Sequence, residues 1–188
     1  MWDLLPNEEE TMIRHSVRAF LAAELPIERL RPNAKPVDMA GLRRAMIELG
    51  WVGVGLPEDV GGSGLGLVEE MLIQRECGRH LVSPSVMASV LAAHVAHAAG
   101  DNALAADLVS GEVAAALCLP SGQAFDWAQD DLLLVWNADG MGIFDAASFA
   151  AHRTEPCLDD SLAMHAGRLD LQAARHWVES RNAPLAMR

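Results

Sequence analysis

Apolar residues recur at helical spacing through the first part of the chain, and the period changes after Gly111. Ile13, Val17, Phe20, Leu21 and Leu25 form one stripe at three- and four-residue intervals, which predicts an amphipathic helix. Asn7 stands at the cap position, and Glu8, Glu9 and Glu10 follow it at the helix end that favours negative charge. Pro26 ends this helix. A second opens at Asp38, with Met39, Leu42, Met46 and Leu49 on one face and Gly50 as its stop. A third runs from about Leu67, with Val68, Met71 and Leu72 expected inward and Gly78 near its end. Ser83-Pro84 reads as a cap followed by proline at the first helical position. The stretch from Val86 to Ala99 is apolar almost all round, so that fourth helix is expected to be buried. Asp101 or Asn102 caps a short fifth helix that ends at Gly111.

The later texture is that of strands. Val113 to Leu119 is a short apolar run followed by Pro120-Ser121-Gly122, a buried strand and a turn. Leu132 to Trp136, then Asn137-Ala138-Asp139-Gly140, then Met141 to Phe144 predicts a hairpin with Asp-Gly in its turn. Ser161 to Leu169 is a further strand candidate, and Leu171, Ala174 and Val178 have helical spacing. Helices first and strands afterwards indicate an α+β fold: an N-terminal all-helical domain followed by a small antiparallel β-domain. The expected boundaries are a helical domain over 1–110, a shortened middle β-domain over 111–170, and the start of a C-terminal helix over 171–188. There is no internal repeat and no low-complexity segment.

Composition narrows the function classes. The 188 residues are 51% hydrophobic and 21% charged, enough apolar mass for a core. The formal net charge of −12 disfavours nucleic acid and anionic membrane surfaces, because both need local positive charge. Cys77, Cys118 and Cys157 are odd in number and far apart, as expected of reduced thiols in a cytoplasmic protein. Asp3, Pro6 and the three glutamates interrupt any early apolar stretch, so neither a signal peptide nor a membrane span is predicted.

The glycine-rich segment carries a family resemblance. Gly50 to Gly66 reads Gly-Trp-Val-Gly-Val-Gly-Leu-Pro-Glu-Asp-Val-Gly-Gly-Ser-Gly-Leu-Gly. This is similar to the signature of acyl-CoA dehydrogenases that begins Gly-Trp and contains Pro-Glu-Glu-Tyr-Gly-Gly. Arg75-Glu76-Cys77-Gly78-Arg79 resembles the family's Glu-Glu-Leu-Gly-Arg run, and Leu108-Val109-Ser110-Gly111-Glu112 its Ser-Gly-Glu before the first middle-domain strand. The resemblance covers most of the chain and is densest from Ile47 to Glu112. It implies a flavoprotein subunit of fatty acid or steroid side-chain catabolism. Family members remove two hydrogens from an acyl-CoA thioester: a carboxylate takes the α-proton and FAD accepts the β-hydride. It also implies an acyl-CoA substrate and an oligomer, homomeric or with another subunit of the family.

This chain departs from that pattern where the flavin should lie. The family's Thr-Glu-Pro segment and Gly-Ser turn face the flavin, whereas here the stretch reads Leu117-Cys118-Leu119-Pro120-Ser121-Gly122. By position, Leu119, Pro120, Ser121 and Gly122 are the cofactor-side candidates. The family's next segment is missing, and the helical domain that carries the catalytic base and partner-subunit flavin contacts does not follow. No residue is therefore assigned as catalytic, and FAD is not expected to be retained by this chain alone. A catalytically empty partner of an active subunit is the alternative role, and a fragment of a longer subunit the favoured explanation of the chain's length.

Other motifs have plainer readings. Gly62-Ser63-Gly64-Leu65-Gly66 fits neither dinucleotide nor Walker spacing, so a structural turn is expected. His94 and His97 are spaced to share a helix face as metal ligands do, but no acidic ligand accompanies them there, and packing or surface histidines are expected. Cys118 is expected as core. Glu69-Glu70 and Asp159-Asp160 are expected as solvated surface, and the tryptophans as packing residues.

Overall fold

A computed structural model describes residues 6–180 except 36, 130 and 160, with the side chains of 151 and 152 also left aside. Five helices come first: α1 (Glu8–Glu24), α2 (Met39–Glu48), α3 (Leu67–Arg79), α4 (Pro84–Ala98) and α5 (Asn102–Ser110). Their starts follow the cap residues. Asn7 and Glu10 bond reciprocally as a capping box, Asp38 accepts from Gly41 N–H, and Asp101 accepts from Leu104 N–H. Val17, Leu21, Leu42, Met46, Trp51 and Ile73 close the first core, with Phe20 edge-to-face on Trp51 at 5.3 Å.

The inward face of α3 differs from the expected one. Leu72 is buried, but Val68 and Met71 are 53% and 61% exposed, and the buried positions include Glu70 and Glu76. Each carboxylate has partners that make its burial tolerable. Glu76 is held by Arg18 at 3.1 Å, Arg75 at 3.3 Å and Arg79 at 3.9 Å. Burial alone would raise its pKa; the hydrogen bond and charge of Arg18, with Arg75 and Arg79, outweigh that and hold it below the usual carboxylate value.

Seven strands follow: β1 (Ala115–Cys118), β2 (Gln123–Phe125), β3 (Leu132–Trp136), β4 (Gly140–Phe144), β5 (Phe149–Glu155), β6 (Met164–Leu169) and β7 (Ala174–Glu179). They form one sheet in the order β5-β6-β2-β1-β3-β4-β7. The α+β arrangement is as expected, and the sheet is mixed because β1 and β3 run parallel. Ala115, Leu132, Leu134 and Ile143 pack against α4 and α5, while Ala116, Leu133, Val135 and Phe144 face Trp127 and Phe149. Both faces are thus covered, which explains why β1 and β3 read as continuous apolar runs rather than alternating ones.

The helix expected from residue 171 is corrected: residues 174–179 are the edge strand β7, and 181–188 lie outside the described residues. A register shift opposite Ile143 and Phe144 puts Ala174 and Trp177 on one side, hiding the two-residue period. Gly142 makes this strand possible. A Cβ there would lie 2.3 Å from the Trp177 ring, so only glycine lets that indole lie across β4.

Candidate functional site

The β1–β2 turn holds the four sequence-predicted residues together. Gly122 N–H donates to Leu119 O and Leu119 N–H to Gln123 O, both at 2.8 Å, and the Ser121 hydroxyl donates to the Gln123 side chain. Gly122 has φ +88°, and a Cβ on it would be 2.1 Å from Gly167 O. Leu119, Pro120 and Ser121 are exposed, while Gly122 is pressed against β6. Pro120 has no N–H to give, and the hydroxyl and two of the backbone donors are already engaged within the turn. The turn thus offers a ligand few free donors.

A larger concavity lies where the helical part meets the sheet. It has a volume of about 700 Å³ and is walled by α2, the first turn of α4, and the loop after β2. The helical wall is apolar, with Val37, Leu42 and Met46, and the sheet side presents Trp127. Trp127 is fixed by Nε1–H donating to Asp131 O at 3.0 Å and by edge-to-face contact with Phe149 at 5.2 Å.

Asp126 joins the two walls. Its Oδ2 accepts from the hydroxyl of Ser83, the α4 cap, at 2.6 Å, and its Oδ1 accepts from Ala163 N–H at 2.7 Å. Its own N–H donates to Ala163 O at 2.7 Å. Asp126 adopts φ +49°, a left-handed conformation that aspartate accepts more readily than most residues. A carboxylate committed to these contacts positions the walls; it is not a free general base.

Three cations face the same cavity: Arg29, Lys35 and Arg43. Arg29 is anchored by donating to Leu81 O at 2.8 Å; burial lowers its pKa from the ordinary guanidinium value, and the charge of Asp159 works against that. The sequence reading missed this grouping, since Arg29, Lys35, Arg43 and Asp126 come from separate elements. The only local signal was the Ser83-Pro84 cap, which marks the helix end that Asp126 meets.

Other sequence candidates are structural. His94 Nε2 lies 2.8 Å from Glu70 Oε2, and the same oxygen accepts from Gly55 N–H at 3.2 Å. Glu70 is therefore buried beneath the glycine-rich loop, not solvated as expected from sequence. His97 turns to Asn102, and no group of three metal-ligating side chains occurs among the described residues. The glycine-rich loop directs Ser63, Gly64 and Leu65 N–H groups at its own carbonyls of Gly53, Leu56 and Val54, which leaves them unable to cradle a phosphate. Burial pushes the thiols of Cys77 and Cys118 up to about 12, so neither is a nucleophile at neutral pH. No helix among the described residues is long and apolar enough to cross a membrane.

Comparison with known proteins follows the same division of the chain. Residues 7–112 match the model of the acyl-CoA dehydrogenase N-terminal domain. An 80-residue stretch is 34% identical to bovine (Bos taurus) mitochondrial isovaleryl-CoA dehydrogenase, covering 39% of this chain and 18% of that protein. Across the helices and the sheet together, a variant of the Tcur3481-Tcur3483 steroid ACAD aligns with TM-score 0.66 and 22% identity, over 96% of this chain and 58% of its own. The ChsE4-ChsE5 complex from Mycobacterium tuberculosis aligns with TM-score 0.62 and 14% identity, over 98% and 61%. At these identities the structural likeness speaks for the fold, and the chain spans about three-fifths of those two structures.

Proposed function

The chain belongs to the acyl-CoA dehydrogenase family, and from that premise we propose that it is the helical and middle-domain part of a subunit that binds an acyl-CoA thioester for α,β-dehydrogenation. The observation that carries this reading is the cavity between the two parts, apolar along Val37, Leu42 and Met46 and cationic at Lys35 and Arg43. Such a lining suits an apolar chain with an anionic end. Flavin supplies hydride acceptance in the family. The turn at Leu119, Pro120, Ser121 and Gly122 offers it few free donors, and this chain's contribution is to bind and orient the thioester. Buried, unreactive Cys77 and Cys118 accord with a reducing compartment such as the cytoplasm.

The test has two parts. After gel filtration the isolated chain should show no flavin absorbance band, and it should give no acyl-CoA-dependent reduction of an electron acceptor. Calorimetric titration with an acyl-CoA should nevertheless show saturable binding. A flavin band near stoichiometric with protein would overturn the reading of the β1–β2 turn, and absence of acyl-CoA binding that of the cavity.

A second reading, a non-catalytic partner of an active subunit, is favoured by one observation: the closed β1–β2 turn, which keeps the scaffold without the flavin contacts. Co-expression with an active subunit of the family should then give a stable complex with flavin bound only by the other chain.

A further inference from the structure

Helices α1 and α3 meet at a buried carboxylate surrounded by more positive charge than it neutralises. The Glu76 side chain is 0% exposed, and Arg18 of α1 reaches it at 3.1 Å, Arg75 of α3 at 3.3 Å and Arg79 at 3.9 Å. Three guanidinium charges against one carboxylate leave a local excess of two, in a chain whose net charge is −12. The arginine side chains are 49%, 47% and 59% exposed, and among the described residues none has a second acidic partner. Glu76 accepts from Arg18 Nε and Nη2 and from Arg75 Nη2, while Arg79 stands beside it without a hydrogen bond. Most guanidinium N–H groups of the cluster are thus left to solvent. Arg14 lies one turn before Arg18 on the same face of α1, and its Nε is buried with no hydrogen-bond partner among the described residues.

Burying Glu76 calls for a compensating cation, and Arg18 alone supplies one with two hydrogen bonds. That need does not account for the other arginines. Arg75 and Arg79 stand four residues apart on α3, as Arg14 and Arg18 do on α1, and like charges at that spacing repel. An anion among them turns the repulsion into attraction. We propose that Arg18, Arg75 and Arg79 form a surface oxyanion site for a phosphate-type dianion, which sits over Glu76 and ties α1 to α3. A phosphate group carries about two negative charges at neutral pH, matching the local excess, and its oxygens suit the planar guanidinium fork. A carboxylate brings only half that charge. Inorganic phosphate and a small organic phosphomonoester present the same group, and the site reads that shared chemistry. None of these arginines lines the cavity between the helices and the sheet, so the inference is independent of the acyl-CoA reading.

Thermal unfolding of the full chain at neutral pH tests this with phosphate, phenyl phosphate and acetate, each against chloride at matched ionic strength. Phosphate should raise the unfolding midpoint saturably and chloride should not, while acetate should need about tenfold more for the same shift. Arg79→Gln should weaken phosphate binding about tenfold, the loss of one charged contact at a half-exposed site. Its midpoint in chloride should change little, because Arg79 makes no hydrogen bond to Glu76. Arg75→Gln is the second variant, with Glu76 still held by Arg18. The double variant Lys35→Gln, Arg43→Gln, which alters the cavity instead, should bind phosphate as the wild type does. Stabilisation by phenyl phosphate as well as phosphate supports the site and opens it to organic phosphomonoesters; stabilisation by phosphate alone supports it and assigns the free ion. The proposal is overturned if phosphate does no more than chloride, or if acetate equals phosphate. It is also overturned if both arginine variants keep the affinity for phosphate, or if only the cavity variant loses it.

Discussion

The first turns of α4 and α5 are both tied to the sheet through their caps, Ser83 by Asp126 and Asp101 by His176 and Arg175. At α4 the tether combines a hydroxyl–carboxylate bond at 2.6 Å, a paired exchange of bonds with Ala163, and a left-handed backbone at Asp126. At α5 it is a more open cluster, with His176 at 2.9 Å and Arg175 at 3.4 Å from the same Asp101 oxygen. The difference lies in what each fixes. Asp126 sets the width of the cavity, because it holds the loop bearing Trp127 against α4. Asp101 caps its own helix first and secures the sheet edge second. One tether therefore joins two walls of a site, and the other trims an edge.

The sharpest way to break this contrast is Asp126→Ala. The variant removes two bonds to a charged acceptor, each worth about 1.5–3 kcal/mol net, and places alanine where φ is positive. We expect a loss of about 3–5 kcal/mol in urea unfolding, together with loss of ligand binding in the cavity. Asp126→Asn keeps an acceptor for Ala163 and a residue tolerant of left-handed backbone, so it should recover more than half of the stability. An Asp126→Ala protein as stable as wild type would show that the tether is not holding the walls.

Asp101→Ala should cost less, about 1 kcal/mol, because the cap bond to Leu104 N–H dominates and half-exposed ion pairs add little. Cavity binding should be unchanged. If the two alanine variants lost equal stability in urea titrations, the distinction between wall and edge would fail.

How much of this was legible in the sequence depended on whether a residue's partners were near it in the chain. Asn7, Asp38, Ser83 and Asp101 cap helices through residues two or three positions away, and all four were readable. The hairpin of β3 and β4 was readable for the same reason. Glu70 was not, because His94, which makes its burial tolerable, is 24 residues distant. Strand β2 has three residues and exists because β1 and β6 flank it, a support no local pattern announces. Strand β7 was misread as helix because its bulge breaks the alternation and its glycine partner lies on β4. At the candidate site the turn residues were found as a turn by their Pro-Ser-Gly sequence. The cavity was invisible, since Asp126 and Ser83 are 43 positions apart.

The smallest effect expected is the acid response of the α5 tether. The hydrogen bond from His176 is the first cause holding the Asp101 carboxyl below the usual carboxylate value, followed by Leu104 N–H and, more weakly, the charge of Arg175, with desolvation opposing. A carboxyl whose pKa is lower folded than unfolded adds stability above its unfolded pKa, near 4, and loses it as pH falls through the lower folded value. Glu76 and Asp159 are depressed as well, so the whole protein should weaken in acid, and total stability cannot isolate Asp101. The difference between wild type and Asp101→Asn can, because those other groups are common to both. Asparagine at the cap keeps the bond to Leu104 N–H but carries no charge for His176 or Arg175. The two urea-unfolding curves should therefore be separated at neutral pH by a few tenths of a kcal/mol, as for a partly exposed pair. They should converge as pH falls through the lowered folded value of Asp101. A gap that stays constant from neutral pH into acid would mean the cap bond alone matters and that the β7 contacts contribute nothing to the tether.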